Sequence, residues 1–280
     1  MRELLIRTLS GAVLVAVIIA CVLLSPWSMA VLALLIVVVG TYEMCRLQQI
    51  ENKWLLFLGA LLAIGCFAIA ALVALNVLSP RFLNLEMLLF MVPFLVALFT
   101  TTKDFKSIAA FTFGSMVYLS LPCALMLFLR SFYGYKMLLL VFALLWVNDI
   151  FAYLSGRLLG KHKLFVRVSP GKTIEGSLGG LLFTIGGVML FSHYAPWLPM
   201  RTAIGLGLIA VVFGTLGDLC ESMLKRQAGV KDSGKLIPGH GGILDRFDSV
   251  LFAIPFVFVY LLLVRDGYTN GFTKKAIRRF

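Results

Sequence analysis

Roughly nine long apolar stretches, separated by short polar connections, constrain this chain more than any other feature of its sequence. They fall near residues 5–24, 27–43, 54–75, 82–100, 109–129, 136–155, 177–194, 201–224 and 243–264. Most approach the length of about 20 residues that carries a helix, rising about 1.5 Å per residue, across the hydrocarbon of a bilayer. Lipid offers no partner to a backbone amide, so a run of this length crosses as a helix with all its hydrogen bonds internal. Long unbroken runs also exclude a membrane β-barrel, whose strands alternate in polarity. With 61% hydrophobic and 14% charged residues, a 280-residue chain lacks the charge to cover a soluble globule. The expected fold is all-α: a polytopic integral membrane protein with about nine transmembrane helices. The second stretch is short, and a full span, a partial span or a hairpin partner all fit it.

Arg2 and Arg7 precede the first run, and no convincing small-residue cleavage site follows it, so an uncleaved first span is expected. The net charge of +12 has two readings, the usual excess of Lys and Arg in cytoplasmic loops and attraction to an anionic substrate or lipid surface. The basic residues are scattered between spans without forming a stripe, which argues against nucleic acid as a partner. Five cysteines share no C-x-x-C spacing and read as small core residues rather than disulfides or zinc ligands.

Two connections differ from the rest. One spans 155–176 and carries Arg157, Lys161, Lys163, Arg167 and Lys172; the other spans 225–242 and carries Lys225, Arg226, Lys231, Asp232, Lys235 and His240. Two spans separate them, so both emerge on one side, and their basic content makes that side the cytoplasm. The tail, with Arg265, Lys274, Lys275, Arg278 and Arg279, runs against the same preference if the last segment crosses fully.

Acidic residues number 13, and five of them, Asp218, Glu221, Asp232, Asp245 and Asp248, lie within 31 consecutive positions. A carboxylate at membrane depth costs a few kcal/mol and normally has a partner. Asp218, Glu221, Ser222 and Lys225 are spaced i, i+3, i+4, i+7 and share one helical face. Asp245 and Asp248 are spaced i, i+3 in the first turns of the last span, after a connection rich in Gly and Pro that can fold the two helix ends together. Hard carboxylate oxygens in such a cluster suit Mg²⁺, which commonly takes one or two carboxylates plus substrate phosphates. Gly241 and Gly242 let backbone N–H groups approach a phosphate at the start of the last helix. Lys225, Arg226 and Arg246 add fixed positive charge, and the whole describes a phosphoryl- or nucleotidyl-transfer site. The plainer reading is a structural charge network at a helix–loop junction.

Two further acids stand upstream. Asp149 lies inside an apolar segment, as a functional carboxylate or one bonded to Asn148 or Tyr153. Glu175 follows Gly171-Lys172-Thr173, which fails as a Walker A loop because Val166 occupies its glycine position and no strand is expected before it. Lys172 and Thr173 belong either to a turn that binds phosphate oxygens or to a plain loop. His240, between glycines, reads as a phosphate contact or as a residue that stabilises its turn.

The run Ser222-Met223-Leu224-Lys225-Arg226, Lys231-Asp232-Ser233-Gly234, Ile237-Pro238-Gly239-His240-Gly241-Gly242-Ile243-Leu244-Asp245-Arg246-Phe247-Asp248 resembles the signature of the CDP-diacylglycerol synthase (phosphatidate cytidylyltransferase) family. Gly217-Asp218 with Glu221, and the block Asn148-Asp149, Ala152-Tyr153, Gly156-Arg157, Gly160-Lys161 with Ser169-Pro170-Gly171-Lys172-Thr173 and Glu175-Gly176, are similar to the family as well. The resemblance covers the C-terminal half, so residues 1–130 read as scaffold with lipid or dimer contacts and 131–280 as the catalytic region.

The resemblance implies transfer of CMP from CTP to phosphatidate, yielding CDP-diacylglycerol and pyrophosphate, at the cytoplasmic face of the membrane (the inner membrane in a bacterium). It implies CTP, phosphatidate and membrane lipids as partners and Mg²⁺ as cofactor; a second cation and a homodimer are left open. Asp218 and Asp245 are expected as principal metal ligands, with Asp248 and Glu221 ligating or just behind. Lys225, Arg226, Arg246, Lys231, Lys172, Thr173, His240, Gly241 and Gly242 are expected around the phosphates, with Ser222 donating to one. A CTP-dependent lipid-alcohol kinase and an ion-coupled transporter are the competing readings.

Overall fold

The computed structural model describes residues 2–49, 53–99, 111–237, 239 and 241–264. The expected C-terminal tail charges and His240 lie outside the described residues, as do parts of the fourth and fifth expected spans. The elements are α1 (Arg2–Leu24), α2 (Pro26–Leu47), α3 (Lys53–Ala74), α4 (Asn84–Phe99), α5 (Phe111–Tyr133), α6 (Tyr135–Leu159), β1 (Lys163–Phe165), β2 (Ser169–Thr173), α7 (Ile174–Tyr194), α8 (Met200–Gln227) and α9 (Leu244–Leu263).

Among the described residues, seven helices, α2, α3 and α5 to α9, are long and apolar enough to span a bilayer. The polytopic all-α fold is as expected, and the count of nine is not confirmed by the described residues alone. Within the described residues, α1 contributes the apolar helix Thr8–Leu24, and α4 covers 16 residues with Pro93 inside. The second stretch, whose extent the sequence left open, is a full helix of 22 residues. Its start is sharp because Ser25 and Ser28 form a reciprocal capping box ahead of Pro26.

The helices pack around a main core, with a smaller cluster of Leu62, Cys66 and Met116 between α3 and α5. Residues of α1, α2, α3, α5, α6, α8 and α9 share the main core, among them Val22, Met29, Ala70, Leu127, Phe142, Leu206 and Ile254. Large apolar side chains such as Leu9, Trp27, Phe57, Leu182 and Val259 point outward instead, as a lipid-facing surface requires.

Two close helix pairs bring the polar ends together. α6 lies against α7, and α8 against α9. In the first pair, a Cβ on Gly176 would sit 2.6 Å from the Ala152 carbonyl oxygen and 3.1 Å from Gly156 Cα. Small residues on both faces permit that approach, as they commonly do between membrane helices. In the second, a Cβ on Gly217 would meet the Asp248 carbonyl oxygen at 2.6 Å. Only glycine at 217 lets the acidic end of α8 approach the acidic end of α9.

The connection 155–176 is not a plain loop. β1 and β2 pair antiparallel, Lys163 opposite Thr173 and Phe165 opposite Ser169. Glu175 clasps the base of this hairpin, accepting from Lys161 N at 3.1 Å and pairing with His162 Nδ1 at 2.6 Å. Arg226 of α8 reaches the same hairpin, its Nε 3.4 Å from the Val168 carbonyl. The two basic connections therefore meet at one end of the molecule, as two intervening spans require.

Candidate active site

Four elements, β2, α6, α8 and α9, carry charge into that meeting point. Asp218, near the cytoplasm-facing end expected for α8, forms an ion pair with Lys172 of β2 at 2.8 Å and accepts from Ser222 Oγ at 3.1 Å, one turn along its own helix. Asp248 of α9 and Asp149 of α6 lie within electrostatic reach of Asp218 and of each other. Lys172 and Arg246 are the cations acting on Asp149. Asp248 Oδ1 accepts from the Ser249 amide at 2.7 Å. Asp149, expected only as a secondary candidate, thus stands with the central acids.

Asp245 sits in a second, tighter group. Its Oδ1 accepts from Lys225 Nζ at 2.6 Å, and its Oδ2 accepts from Ser233 N, Ser233 Oγ and Gly242 N at 2.8, 2.9 and 2.8 Å. Lys225 also pairs with Glu221, one turn before it on α8. The Glu221 side chain is fully buried, and its Oε1 has no hydrogen-bond partner among the described residues. The helical face expected from i, i+3, i+4, i+7 spacing is present, but it divides: Asp218 and Ser222 turn to Lys172, while Glu221 and Lys225 turn to Asp245.

The connection between α8 and α9 folds tightly around this group. Ile237 N donates to the Gly241 carbonyl at 2.9 Å, and Gly241 takes φ +85°, a region that favours glycine. Of the two glycines expected to bring amides to a phosphate, Gly242 has its amide engaged within the protein in this arrangement. Gly242 N is bonded to Asp245, and Ile243 N and Leu244 N are bonded at 2.9 Å to Glu43. Glu43 comes from α2, about 200 positions earlier, and also accepts from Ser233 Oγ at 2.9 Å.

Other expected residues are distributed around this core. Thr173 is buried and caps α7, its Oγ1 accepting from Gly176 N at 3.1 Å. Glu175 is engaged in the hairpin clasp. Arg226 is exposed and donates to the carbonyls of Val168 and Val230, and Lys231 and Arg246 are exposed at the rim.

Three participants went unrecognised in the sequence. Ser233 lies within the quoted motif, but its hydroxyl carries no sign of which carboxylates it joins. Glu43 ends an apolar run in a chain with few acids, and that scarcity was the available signal. Tyr118 stands in a π-helical turn of α5, Ser115–Ser120, just before Pro122, which lacks the amide that would continue the regular ladder. Its buried hydroxyl has no partner among the described residues and lies within electrostatic reach of Asp218, Glu221 and Asp248.

Residues 5–264 match the cytidylyltransferase family. The chain belongs to that family. Relatives include the phosphatidate cytidylyltransferase of Staphylococcus aureus (strain COL), 42% identical over 155 residues, and that of Staphylococcus haemolyticus (strain JCSC1435), 45% identical over 159 residues. The protein of the same description from Staphylococcus epidermidis (strain ATCC 12228) is 43% identical over 159 residues. Each match covers 55% of this chain and 59% of the relative's length. Membership agrees with the resemblance read from the C-terminal motifs, and the family match extends through the N-terminal helices.

Proposed function

We propose that this protein is a phosphatidate cytidylyltransferase: it transfers CMP from CTP to phosphatidate, forming CDP-diacylglycerol and pyrophosphate. The observation that carries the proposal is the convergence of the family's motif residues, from β2, α6, α8 and α9, into one cluster of carboxylates and cations. The names of the staphylococcal relatives supply the substrates.

The reaction joins two anions. A phosphate oxygen of phosphatidate forms a bond to the α-phosphorus of CTP, and the bond from that phosphorus to the bridging oxygen of pyrophosphate breaks. The attacking oxygen already carries charge, so the protein has no strong base to supply. Its work is charge neutralisation and alignment. Lys172 and Lys225, each already beside a carboxylate, supply fixed positive charge near the reacting phosphates, and Arg226, Lys231 and Arg246 lie at the rim. Ser222 donates to a phosphate oxygen when it releases Asp218. Gly241 and Gly242 keep the loop close to the acids.

The donor set fits Mg²⁺. Five carboxylates, Asp149, Asp218, Glu221, Asp245 and Asp248, meet three cationic side chains, Lys172, Lys225 and Arg246, and Glu43 is joined to Asp245 through Ser233. Among the described residues no ready-made cage of three ligands is present. Mg²⁺ does not require one, because it commonly takes one or two carboxylates and completes its shell with water and substrate phosphates. One or two of Asp218, Asp245 and Asp248 would hold it, with Asp149 and Glu221 adding negative charge nearby. When bound, the metal offsets phosphate charge and stabilises the departing pyrophosphate. The site would open at the cytoplasmic face, where CTP is found and where the basic connections favour placing it.

The test uses purified protein, phosphatidate in mixed micelles, and CTP labelled in the α-phosphate. Label moving into lipid with release of pyrophosphate, and lost on chelation of divalent cations, is the expected result. Label remaining in the nucleoside diphosphate CDP while a lipid alcohol gains the γ-phosphate would replace this reading with a lipid kinase.

A further inference from the structure

We infer that Glu43 is a positioning residue for the reaction proposed above, holding the α8–α9 connection and, through Ser233, setting the place and availability of Asp245. This inference rests on that functional reading for its catalytic consequence, but not for its geometry.

Glu43 is 3% exposed. A buried carboxylate is costly unless hydrogen bonds and positive potential replace its lost hydration. Among the described residues, its hydrogen-bond donors come from one place, the connection into α9. Ile243 N donates to Oε1, Leu244 N and Ser233 Oγ donate to Oε2, each at 2.9 Å, and the start of α9 adds its dipole. The loop is moulded to the carboxylate: a Cβ on Gly234 would lie 2.5 Å from Oε1.

Capping alone does not explain this arrangement. A Ser, Thr, Asp or Asn just before α9 would satisfy its first amides locally. The position is Ile243 instead, which gives no side-chain cap, and the function passes to a residue on another helix. A local cap would close α9 equally well without tying it to α2. The distant carboxylate fixes the helix start, the glycine loop and α2 as one unit.

Ser233 makes the consequence chemical. Its Oγ lies 2.9 Å from Glu43 Oε2 and 2.9 Å from Asp245 Oδ2, yet a hydroxyl has one proton to donate. Glu43 is therefore a second acceptor. When another donor or a cation takes Asp245 Oδ2, the Ser233 proton turns to Glu43 and no buried group is left unpaired. Without Glu43, Asp245 would remain the hydroxyl's only acceptor in this group, and the loop carrying Ser233 would lose its anchor.

The experiment compares wild type with E43Q, S233A and the double variant, purified in the same detergent. E43Q keeps the side-chain size but turns an amide donor toward at least one backbone N–H that already points there. For E43Q, kcat/KM for CTP should fall about tenfold or more, with gel-filtration elution unchanged. S233A should lose less, and the double variant should lie within about twofold of E43Q, because both changes act on one contact network. A folded E43Q with turnover within about twofold of wild type, or losses that multiply in the double variant, would overturn the inference. If E43Q does not fold, S233A decides: reduced turnover supports the role and full turnover overturns it. Hydrogen exchange supplies a readout independent of activity. The amides of Ile243 and Leu244 should exchange at least about tenfold faster in a folded E43Q, with α6 and α7 unchanged; unaltered exchange there refutes the anchoring. Wild-type protein without CTP-dependent turnover would defeat the functional reading alone, leaving exchange to judge Glu43.

Discussion

Lys225 lies between Glu221 and Asp245 with 10% of its side chain exposed, while theirs are 0% and 5% exposed. Removing the cation leaves two carboxylates facing one another out of water, a loss that typically costs about 3–5 kcal/mol. Lys225→Met should therefore lower stability by about that amount in denaturant titrations, and adding Glu221→Gln should recover part of it. Asp218 and Lys172 form a more open pair, 35% and 25% exposed, whose loss is worth at most about 1 kcal/mol. Asp218→Asn should leave the melting transition almost unchanged while removing most CTP turnover, so the two measurements separate a stabilising charge from a reacting one. Both groups were legible in the sequence, because spacing on α8 and density of acids are local properties. Their division into two partnerships was not. Which acid each cation selects depends on rotation of α9 against α8, and on a loop whose Ser233 and Gly242 amides engage Asp245.

Helices were easily read because each apolar run carries its own evidence, about 20 residues without charge. Shorter elements carried less. β1 and β2 have 3 and 5 residues; β2 gains its order from contacts with α6, α7 and α8, and β1 from pairing with β2, rather than from propensity. The π-helical turn of α5 likewise needs the whole structure to show what its widened ladder presents, the hydroxyl of Tyr118. Between elements, the seam of α8 and α9 controls the site most directly. Gly217→Ala places a methyl group where the Asp248 carbonyl lies 2.6 Å and Phe252 Cβ 2.7 Å away. The helices must separate locally, at about 1–3 kcal/mol, and Asp218 moves with its neighbour. Turnover should fall by about two orders of magnitude, since misplacement of about 1 Å can do this. A stability loss without a matching loss of turnover would show that the seam tolerates more slack than its geometry implies.

At the scale of the whole molecule, the sequence suggests a catalytic C-terminal half carried by an N-terminal scaffold, because the motif residues cluster after position 148. The packing joins these halves more closely. Core residues from α1, α2, α3 and α5 are continuous with those of α6, α8 and α9, and α2 places Glu43 against the start of α9. No local pattern announces a contact spanning 201 positions. It exists because α2 packs against both α8 and α9. The chain offers a natural place to test this dependence, at Gly134, where α5 ends and α6 begins and where φ is +83°. Residues 134–280 expressed alone lack Glu43, Tyr118 and half of the core, and membranes containing only that piece should form no CDP-diacylglycerol. Supplying residues 1–133 as a second polypeptide should restore turnover, because the break removes one peptide bond in a connection and none of the packing. Activity from the C-terminal piece alone would mean that Glu43 and the N-terminal helices hold nothing the reaction needs. Restoration only with an intact Glu43 would place the anchoring in that single side chain rather than in the helices around it.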